Sequence, residues 1–520
     1  MSLRKSIAWS YGGQGASFLI GFIASAIVAR LLTPFEFGVF ALASAIMGFL
    51  SIVTTVGLTQ YVVREKDLTQ QVLRSAFTAN LLLQLLLCCL LVIAGFTLAP
   101  QFGAGVPAVL LLLAANPLLS VVEFLPRALL QRDMQFGVVS ALGPVNALVS
   151  ALVTIPLAWL GWGALSIAVA VLVAHVVCVV MLVAQRPGSA ILRPTRRGLR
   201  VVATFGVQML SVSGATQAAT RLSDMGLAKL QGADGLGHYA RASQLFSQLY
   251  FMVYGLATGA LFARMSRDFH RDGQIKDTYL RSVELLTAVL WPACIGMAIL
   301  AQPFIRIVYG PNWESSALPL SLLMVSMFIN LAFAMNWELF VLREETGRQA
   351  RYELSRAFLG TILFVGLASI SVTAAAGARV IEAAACYLLY RPHMPRMIGC
   401  EPHELRAIQQ RSFTLTILAT LPSMALMLTN GFDPGTGYPA LGAAICSGLV
   451  LWAAGSCSAI PFWPSLALPC PTFAGLKALE FAGQRNAGRV PLHCKCVMTL
   501  PTPDADDRHP SRSLCFGICP

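Results

Sequence analysis

From Ile7 to Pro461 the chain alternates long apolar runs with short polar stretches rich in arginine. About 20 apolar residues cross the hydrocarbon core of a bilayer as a helix. Fourteen stretches meet or approach that length: Ile7 to Ala29, Phe37 to Val63, Ala76 to Leu98, Ala104 to Leu125, Val138 to Leu160, Gly163 to Ala184, Val201 to Leu227, Tyr239 to Phe262, Val283 to Ala301, Ala317 to Val341, Ala357 to Ala376, Val380 to Tyr390, Phe413 to Thr429 and Leu441 to Pro461. The pattern predicts an all-α polytopic membrane protein. Its twelfth span is short and starts beside Arg379 and Glu382. Residues 186–200, with Arg186, Arg193, Arg196, Arg197 and Arg200, divide the spans six and eight. The expected organisation is a first lobe over 1–185, a basic linker over 186–200, and a second lobe over 201–390. Two additional helices follow over 391–461, then an atypical tail over 462–520 without helical periodicity.

Composition sharpens this picture. Only 12% of the 520 residues are charged and 56% are hydrophobic, against about 25% charged in a soluble domain. That excludes a large soluble enzyme. The net charge of +13 would suit a nucleic-acid binder only if the basic residues clustered on one face. Here they fall singly in alternate loops. With the N-terminus in the cytoplasm, the opposite loops hold only Arg30, Lys229, Arg241, Arg306 and Arg379. The excess therefore records orientation, with both termini expected in the cytoplasm. Arg4 and Lys5 before the first span give it the look of a signal peptide, but it lacks a convincing cleavage site and is read as a membrane helix.

The sequence also repeats itself. ARLLTPFEFGVFALASAI (Ala29 to Ile46) aligns without a gap on AKLQGADGLGHYARASQL (Ala228 to Leu245), sharing Ala29/Ala228, Leu31/Leu230, Gly38/Gly237, Ala41/Ala240, Ala43/Ala242 and Ser44/Ser243. Both copies join the first and second helices of a half. Six spans separate them, so two lobes of like orientation are expected, related by an axis along the membrane normal. Small residues (Ala41, Ser44 and Gly48, with Gly255 and Gly259) would let the helices approach closely.

These segments, together with ALLQRDMQF (Ala128 to Phe136) and IRIVYGPNWESSALPLSLL (Ile305 to Leu323), resemble bacterial polysaccharide-repeat-unit flippases. That family shares a superfamily with multidrug/toxin extrusion antiporters and the lipid II flippase. The resemblance runs from about Met1 to about Pro461. It implies two six-helix lobes with two extra C-terminal helices around a cationic cavity, in the bacterial inner membrane. It also implies transport of undecaprenyl-diphosphate-linked oligosaccharide from the inner to the outer leaflet, with membrane lipids, a polysaccharide polymerase and chain-length machinery as partners. Two departures are visible. Many relatives carry a proline and a serine where this chain reads Leu261-Phe262-Ala263-Arg264-Met265-Ser266, and the tail replaces the usual short basic end. A cation-coupled drug antiporter, or a membrane glycan polymerase or ligase, stays open as an alternative. The short external loops weigh against a polymerase or ligase.

Ionisable residues inside spans are costly and default to functional candidates. Arg221 and Asp224 share a face of the seventh span at i, i+3, with Gln217 and Thr220 nearby, and suit a diphosphate. Arg30, Lys229 and Arg241 form a second basic group at the external ends. Arg30 is favoured there because the resembled family often places a cavity cation on its first helix. Glu123 with Arg127, and Glu338 with Arg343, are expected at the cytoplasmic ends of spans four and ten as gating pairs or proton carriers. Glu284 beside Arg281 has the same form. The 13 cysteines form no framework, and no cofactor or metal is expected. His493, Cys494, Cys496, His509, Cys515 and Cys519 lack zinc-ligand spacing, and Asp504 with Asp506 is a chance DxD.

Overall fold

The computed structural model describes residues 3–459, apart from 55–56, 66, 104, 196–198 and 430–437. The tail expected over 462–520, with its His, Cys and Asp motifs, lies outside the described residues.

The described residues are helical throughout. In order the helices are α1 (Leu3–Leu31), α2 (Pro34–Leu50), α3 (Leu58–Arg64), α4 (Gln70–Thr97), α5 (Val106–Leu113), α6 (Asn116–Arg132), α7 (Phe136–Trp159) and α8 (Ala164–Gln185). The second half follows with α9 (Leu199–Tyr250), α10 (Leu256–Asp272), α11 (Lys276–Ile299), α12 (Ala301–Val308), α13 (Ala317–Asn330), α14 (Asn336–Leu342), α15 (Thr346–Ala368) and α16 (Val372–Tyr390). The last three are α17 (Met394–Ile398), α18 (Pro402–Thr429) and α19 (Tyr438–Ala459). Eleven helical stretches are long and apolar enough to cross a membrane. With the two limbs of α9 and with α15, they account for the fourteen passes and the fold class read from the apolar pattern.

Local chemistry sets the boundaries. The turn before α2 carries a capping box: Glu36 N donates to Thr33 Oγ1 at 3.3 Å, and Thr33 N donates to Glu36 Oε2 at 2.8 Å. Two otherwise orphaned amides are thereby satisfied, and Pro34 supplies a pre-set φ for the first turn. The corresponding turn of the second half is tighter. α9 runs through both limbs and breaks only at Gly232, with φ 74° and ψ 179°, a conformation that residues with a Cβ rarely adopt.

Two expectations change. The eleventh span ends at Ala368 rather than Ala376, and Ser371 caps α16 by accepting from Ala374 N at 3.0 Å. The twelfth span is therefore a full helix of 19 residues, and Arg379, expected in a loop, and Glu382, expected at the end of the span, both sit in its interior. The run of small residues Ala374-Ala375-Ala376-Gly377-Ala378 hid the break, because it is apolar on both sides of it. Lys229 and Arg241 likewise belong to the limbs of α9 and not to a loop.

The α15–α16 boundary can be checked by labelling. In membranes, a Ser371→Cys variant is expected to react with an impermeant maleimide, and Ile381→Cys, half exposed toward lipid, is expected to stay unreactive from either side. Labelling of Ile381→Cys would restore the shorter span.

Candidate functional site

The two repeat copies meet at one membrane face. A Cβ built on Gly38 of α2 would lie 1.7 Å from the Ala233 carbonyl oxygen, and one on Gly237 of α9 would lie 1.9 Å from the Pro34 oxygen. The contact is reciprocal, since the repeat aligns Gly38 with Gly237 and Pro34 with Ala233. Backbone touches backbone across the junction of the halves, and only glycine permits it. We call this the sealed face.

Cations and aromatic rings surround the seam. Arg30 donates Nη2 to Ile307 O at 2.5 Å and Nε to Val308 O at 3.3 Å. Lys229 lies 5.7 Å from the Phe102 ring. Each base thus reaches from its own half to the other. Arg241 is 1% exposed and caged by Phe37 of the first half, at 4.0 Å from the ring centroid, and by Trp313 and Tyr309 of the second, at 4.6 and 5.0 Å. Its Nη1 donates to Ser25 Oγ at 2.7 Å and Gln244 Oε1 at 3.2 Å, while ring faces stand where other partners for the guanidinium would be. Trp313 completes the junction by donating Nε1 to Ala29 O at 2.7 Å. Arg30 and Arg241 thus each contact both halves at the seam.

Deeper along α2, ten residues or about 15 Å from Gly38, the Arg221 guanidinium lies against Gly48, where a Cβ would come within 2.5 Å of Nε. That distance is about half of a hydrocarbon core. Gln217, Arg221 and Asp224 follow one face of the first limb of α9 at i, i+4 and i+7. Arg221 Nη1 stands 3.9 Å from Asp224 Oδ2, too far for a hydrogen bond, and its side chain is 36% exposed. It is a loosely held cation aimed across the junction.

Behind it lies a charge network built on residues the apolar pattern had placed in loops or at the end of the short twelfth span. Arg379 Nη1 donates to Glu382 Oε2 at 2.7 Å, and its guanidinium covers the Phe364 ring. Arg356 Nε lies 3.5 Å from Glu382 and 3.4 Å from Glu353. Gly360 makes room for the Glu382 carboxylate, which a Cβ there would approach to 2.5 Å. Arg356, Arg379 and Arg221 thus stand against Glu353, Glu382 and Asp224, and the group is balanced.

The first half holds a different cluster. Glu123 Oε1 meets Arg127 Nη1 at 2.8 Å and Glu123 Oε2 meets His175 Nε2 at 2.8 Å, with His175 Nδ1 at 2.9 Å from Asn116 Oδ1. These atoms are not at a helix end as expected, because α6 continues to Arg132. The pair also joins helices of one half and does not bridge the two. Glu338 and Arg343 are not paired with each other: Arg343 donates Nε to Met397 O at 2.9 Å, and Glu338 Oε2 has no hydrogen-bond partner among the described residues. Glu284 faces Arg411 at 3.8 Å.

Beside the second half runs an apolar groove of about 400 Å³. Leu249, Pro292, Met297, Met324, Ile445 and Trp452 contribute to its wall, so α18 and α19 close it against α9, α11 and α13. Trp452 anchors α19 by donating Nε1 to Ala288 O at 2.8 Å.

A family model described as "Polysaccharide biosynthesis protein" matches residues 27–318, more than half of the chain, including the seam, Arg221 and Trp313. The chain belongs to this family. It is 25% identical over 329 residues to the succinoglycan biosynthesis transport protein ExoT of Rhizobium meliloti, covering 62% of this chain and 66% of that one. It is 23% identical over 340 residues to the lipopolysaccharide biosynthesis protein WzxC of Escherichia coli, covering 62% and 68%. The chain thus spans about two thirds of the length of these two relatives. Among solved structures, the lipid II flippase MurJ in an inward closed conformation superposes with a TM-score of 0.71 at 12% identity, over 87% of this chain and 98% of that one, which establishes a shared fold.

Within this member of the family, the residues missed from the sequence are those whose partners lie far along the chain: His175, Asn116, Arg379, Glu382, Arg356 and Trp313. A histidine in the apolar run Ala164–Ala184 was the one available signal.

Gly38→Ala and Gly237→Ala are expected to hold the seam apart, since overpacking of this kind costs about 1–3 kcal/mol. Disulfide trapping between cysteines placed at the ends of α2 and α9 should fall in both variants relative to the parent chain; unchanged trapping would contradict the contact. Trp313→Leu removes one cage wall and one hydrogen bond, so the same measurement should show a smaller loss, of about 1–2 kcal/mol.

Proposed function

We propose that the protein flips undecaprenyl-diphosphate-linked oligosaccharide repeat units from the inner to the outer leaflet of the bacterial inner membrane, by alternating access between two lobes. The observation that carries the proposal is Arg221: a cation at mid-depth, loosely paired, half-buried, and set against α2 across the junction of two repeat-related halves. A lipid-linked diphosphate needs a cation for its phosphates, polar room for its sugars and an apolar slot for its tail. Arg221 with Gln217 suits the first need, and the groove along α18 and α19 suits the third.

The lobes in this scheme are residues 1–185 and 201–390, joined by the basic linker 186–200, with 391–461 as the added helices. The charge bias of the loops supports cytoplasmic termini and makes the sealed face the external one. Arg30 and Arg241 are then freed when that face opens, and both become available to the diphosphate as it arrives outside. The network of Asp224, Arg379 and Glu382 holds Arg221 at its depth. A polymerase and chain-length machinery would take the product onward, and no covalent step is needed in the transport itself. A drug antiporter of like fold is the nearest rival; the cation rather than a carboxylate at the junction favours an anionic cargo.

Complementation tests this directly. In a strain lacking its own flippase, the chain should relieve accumulation of lipid-linked oligosaccharide in the cytoplasmic leaflet. Failure across several glycan types, with the protein present and folded, would overturn the proposal. Hydrogen bonds to charged groups contribute about 1.5–3 kcal/mol, so Arg221→Ala should lower transport by about tenfold to a hundredfold. Arg221→Lys should retain part of it, as a point charge without the planar fork.

A further inference from the structure

The polar cluster of the first half takes no part in the scheme above, and its hydrogen bonds leave one proton unaccounted for. Asn116 Nδ2 donates to Leu113 O at 3.3 Å. That contact orients the amide and leaves Oδ1, an acceptor only, facing His175 Nδ1 at 2.9 Å. Nδ1 therefore carries a hydrogen. In a neutral imidazole Nε2 is then bare, yet it stands 2.8 Å from Glu123 Oε2. A bare nitrogen and a carboxylate oxygen repel at that distance. One further proton must lie between them, whether on the ring or on the carboxyl group.

We infer that His175 and Glu123 together form a single-proton binding site in the membrane interior, whose occupancy fastens α6 to α8. The site lies twelve residues, or about 18 Å, along α8 from Gly163 near the sealed face, and both side chains are largely buried. α6 brings Arg127, which holds the other Glu123 oxygen. α8 brings Cys178, whose Sγ donates to Leu142 O at 3.7 Å. α7 contributes the neutral Asn146, and α5 has no titratable residue. α4 contributes Asn80 and Gln84, with Arg74 in its first turn and Cys88 and Cys89 further along; α3 carries Tyr61 and Arg64, and α2 has Glu36 in its capping box.

The release step balances simply. The proton passes from the pair to entering water, leaving neutral imidazole and carboxylate, and the Nε2–Oε2 hydrogen bond is lost. α6 is then held to α8 by one fewer bridge. The chain is already broken just before α6, where the helix ending at Leu113 gives way at Ala114–Ala115. At its other end Arg132 Nη1 donates to Val62 O at 3.0 Å, so movement of α6 is passed to α3. Proton occupancy is thereby linked to the membrane face opposite the seal. Its part in driving transport rests on the flippase reading; the proton site itself does not.

The test uses the full chain in liposomes. Solid-state ¹⁵N NMR of histidine-labelled protein, with His175→Gln to identify the ring signals, should show both nitrogens of His175 engaged with a proton. In Glu123→Gln the amide donates to Nε2, so His175 should be a neutral imidazole with a bare, accepting Nε2. A bare Nε2 in the parent chain, or a spectrum unchanged in Glu123→Gln, would overturn the site. Flipping of lipid-linked oligosaccharide is then compared with and without an imposed proton gradient. The ratio should exceed unity in the parent chain and fall to unity in both variants; a ratio that persists in both would overturn the link to transport. No flipping by the parent chain under either condition would count against the flippase reading, while the spectra would still decide the proton site.

Discussion

The contact between the backbones at Gly38 and Gly237 sets the geometry of everything around it. With Cβ positions under 2 Å from the opposing carbonyl oxygens, neither helix can approach this closely with any other residue. Because the contact is reciprocal, it fixes a local two-fold relation, and flanking residues must meet across the axis in pairs. Arg30 and Lys229 obey this relation, each crossing to the other half. Arg241 departs from it. Its repeat equivalent is Leu42, which is 1% exposed and packed in the core. Two guanidinium groups caged in one dry space would repel with little water to screen them, so a seam of this symmetry tolerates the cage on one side only.

Charge inside the membrane is expensive, and the two halves meet the cost differently. In the second half Arg356, Arg379, Glu353 and Glu382 pair opposite charges on two helices, α15 and α16, and each has a partner within its own half. Asp224 and Arg221 stand at the edge of that group, where the last contact is a long one. Removing one member would leave a buried charge unpaired, which is more destabilising than never having had the pair. The group therefore works as a frame that keeps Arg221 at mid-depth with its guanidinium free toward the junction. In the first half the cluster is smaller, and His175 joins α8 to Glu123 of α6.

The fold was legible in the sequence because hydrophobic length and loop charge are local and additive along the chain. The repeat was legible too, but the close approach expected at Ala41, Ser44, Gly48, Gly255 and Gly259 did not single out the aligned pair Gly38 and Gly237, whose contact only the packing shows. What was hidden follows from the same physics. Apolar small residues do not announce helix ends, so the break at Ser369–Ser371 was displaced toward Ala374–Ala378, which put Arg379 in a loop and Glu382 at the end of a short span. A single acidic residue four before a basic one suggested a helix-end pair at Glu123 and Arg127. The third member, His175, lies 52 residues away, and no spacing rule connects them. The spacing at Glu338 and Arg343 looked similar, yet Arg343 turns to the Met397 carbonyl. Sequence neighbours on one helix compete with carbonyls from other helices, and only the packing decides.

A transporter must also be able to undo its seal, and the sealed face is built from interactions that water can replace. Arg30 and Trp313 bond to backbone carbonyls, which water satisfies once the halves part, so each contributes only about 1–3 kcal/mol net. The Arg241 cage adds up to about 2 kcal/mol by cation–π attraction, and on opening the guanidinium regains its hydration. The glycine contact contributes packing but no strong bond. Together these amount to several kcal/mol, the scale at which a second conformation stays accessible to a ligand that prefers it. The charge network of the second half could not serve this purpose, because parting it would strand ions in hydrocarbon. Strong pairs lie inside each half, and contacts that water can replace lie between the halves.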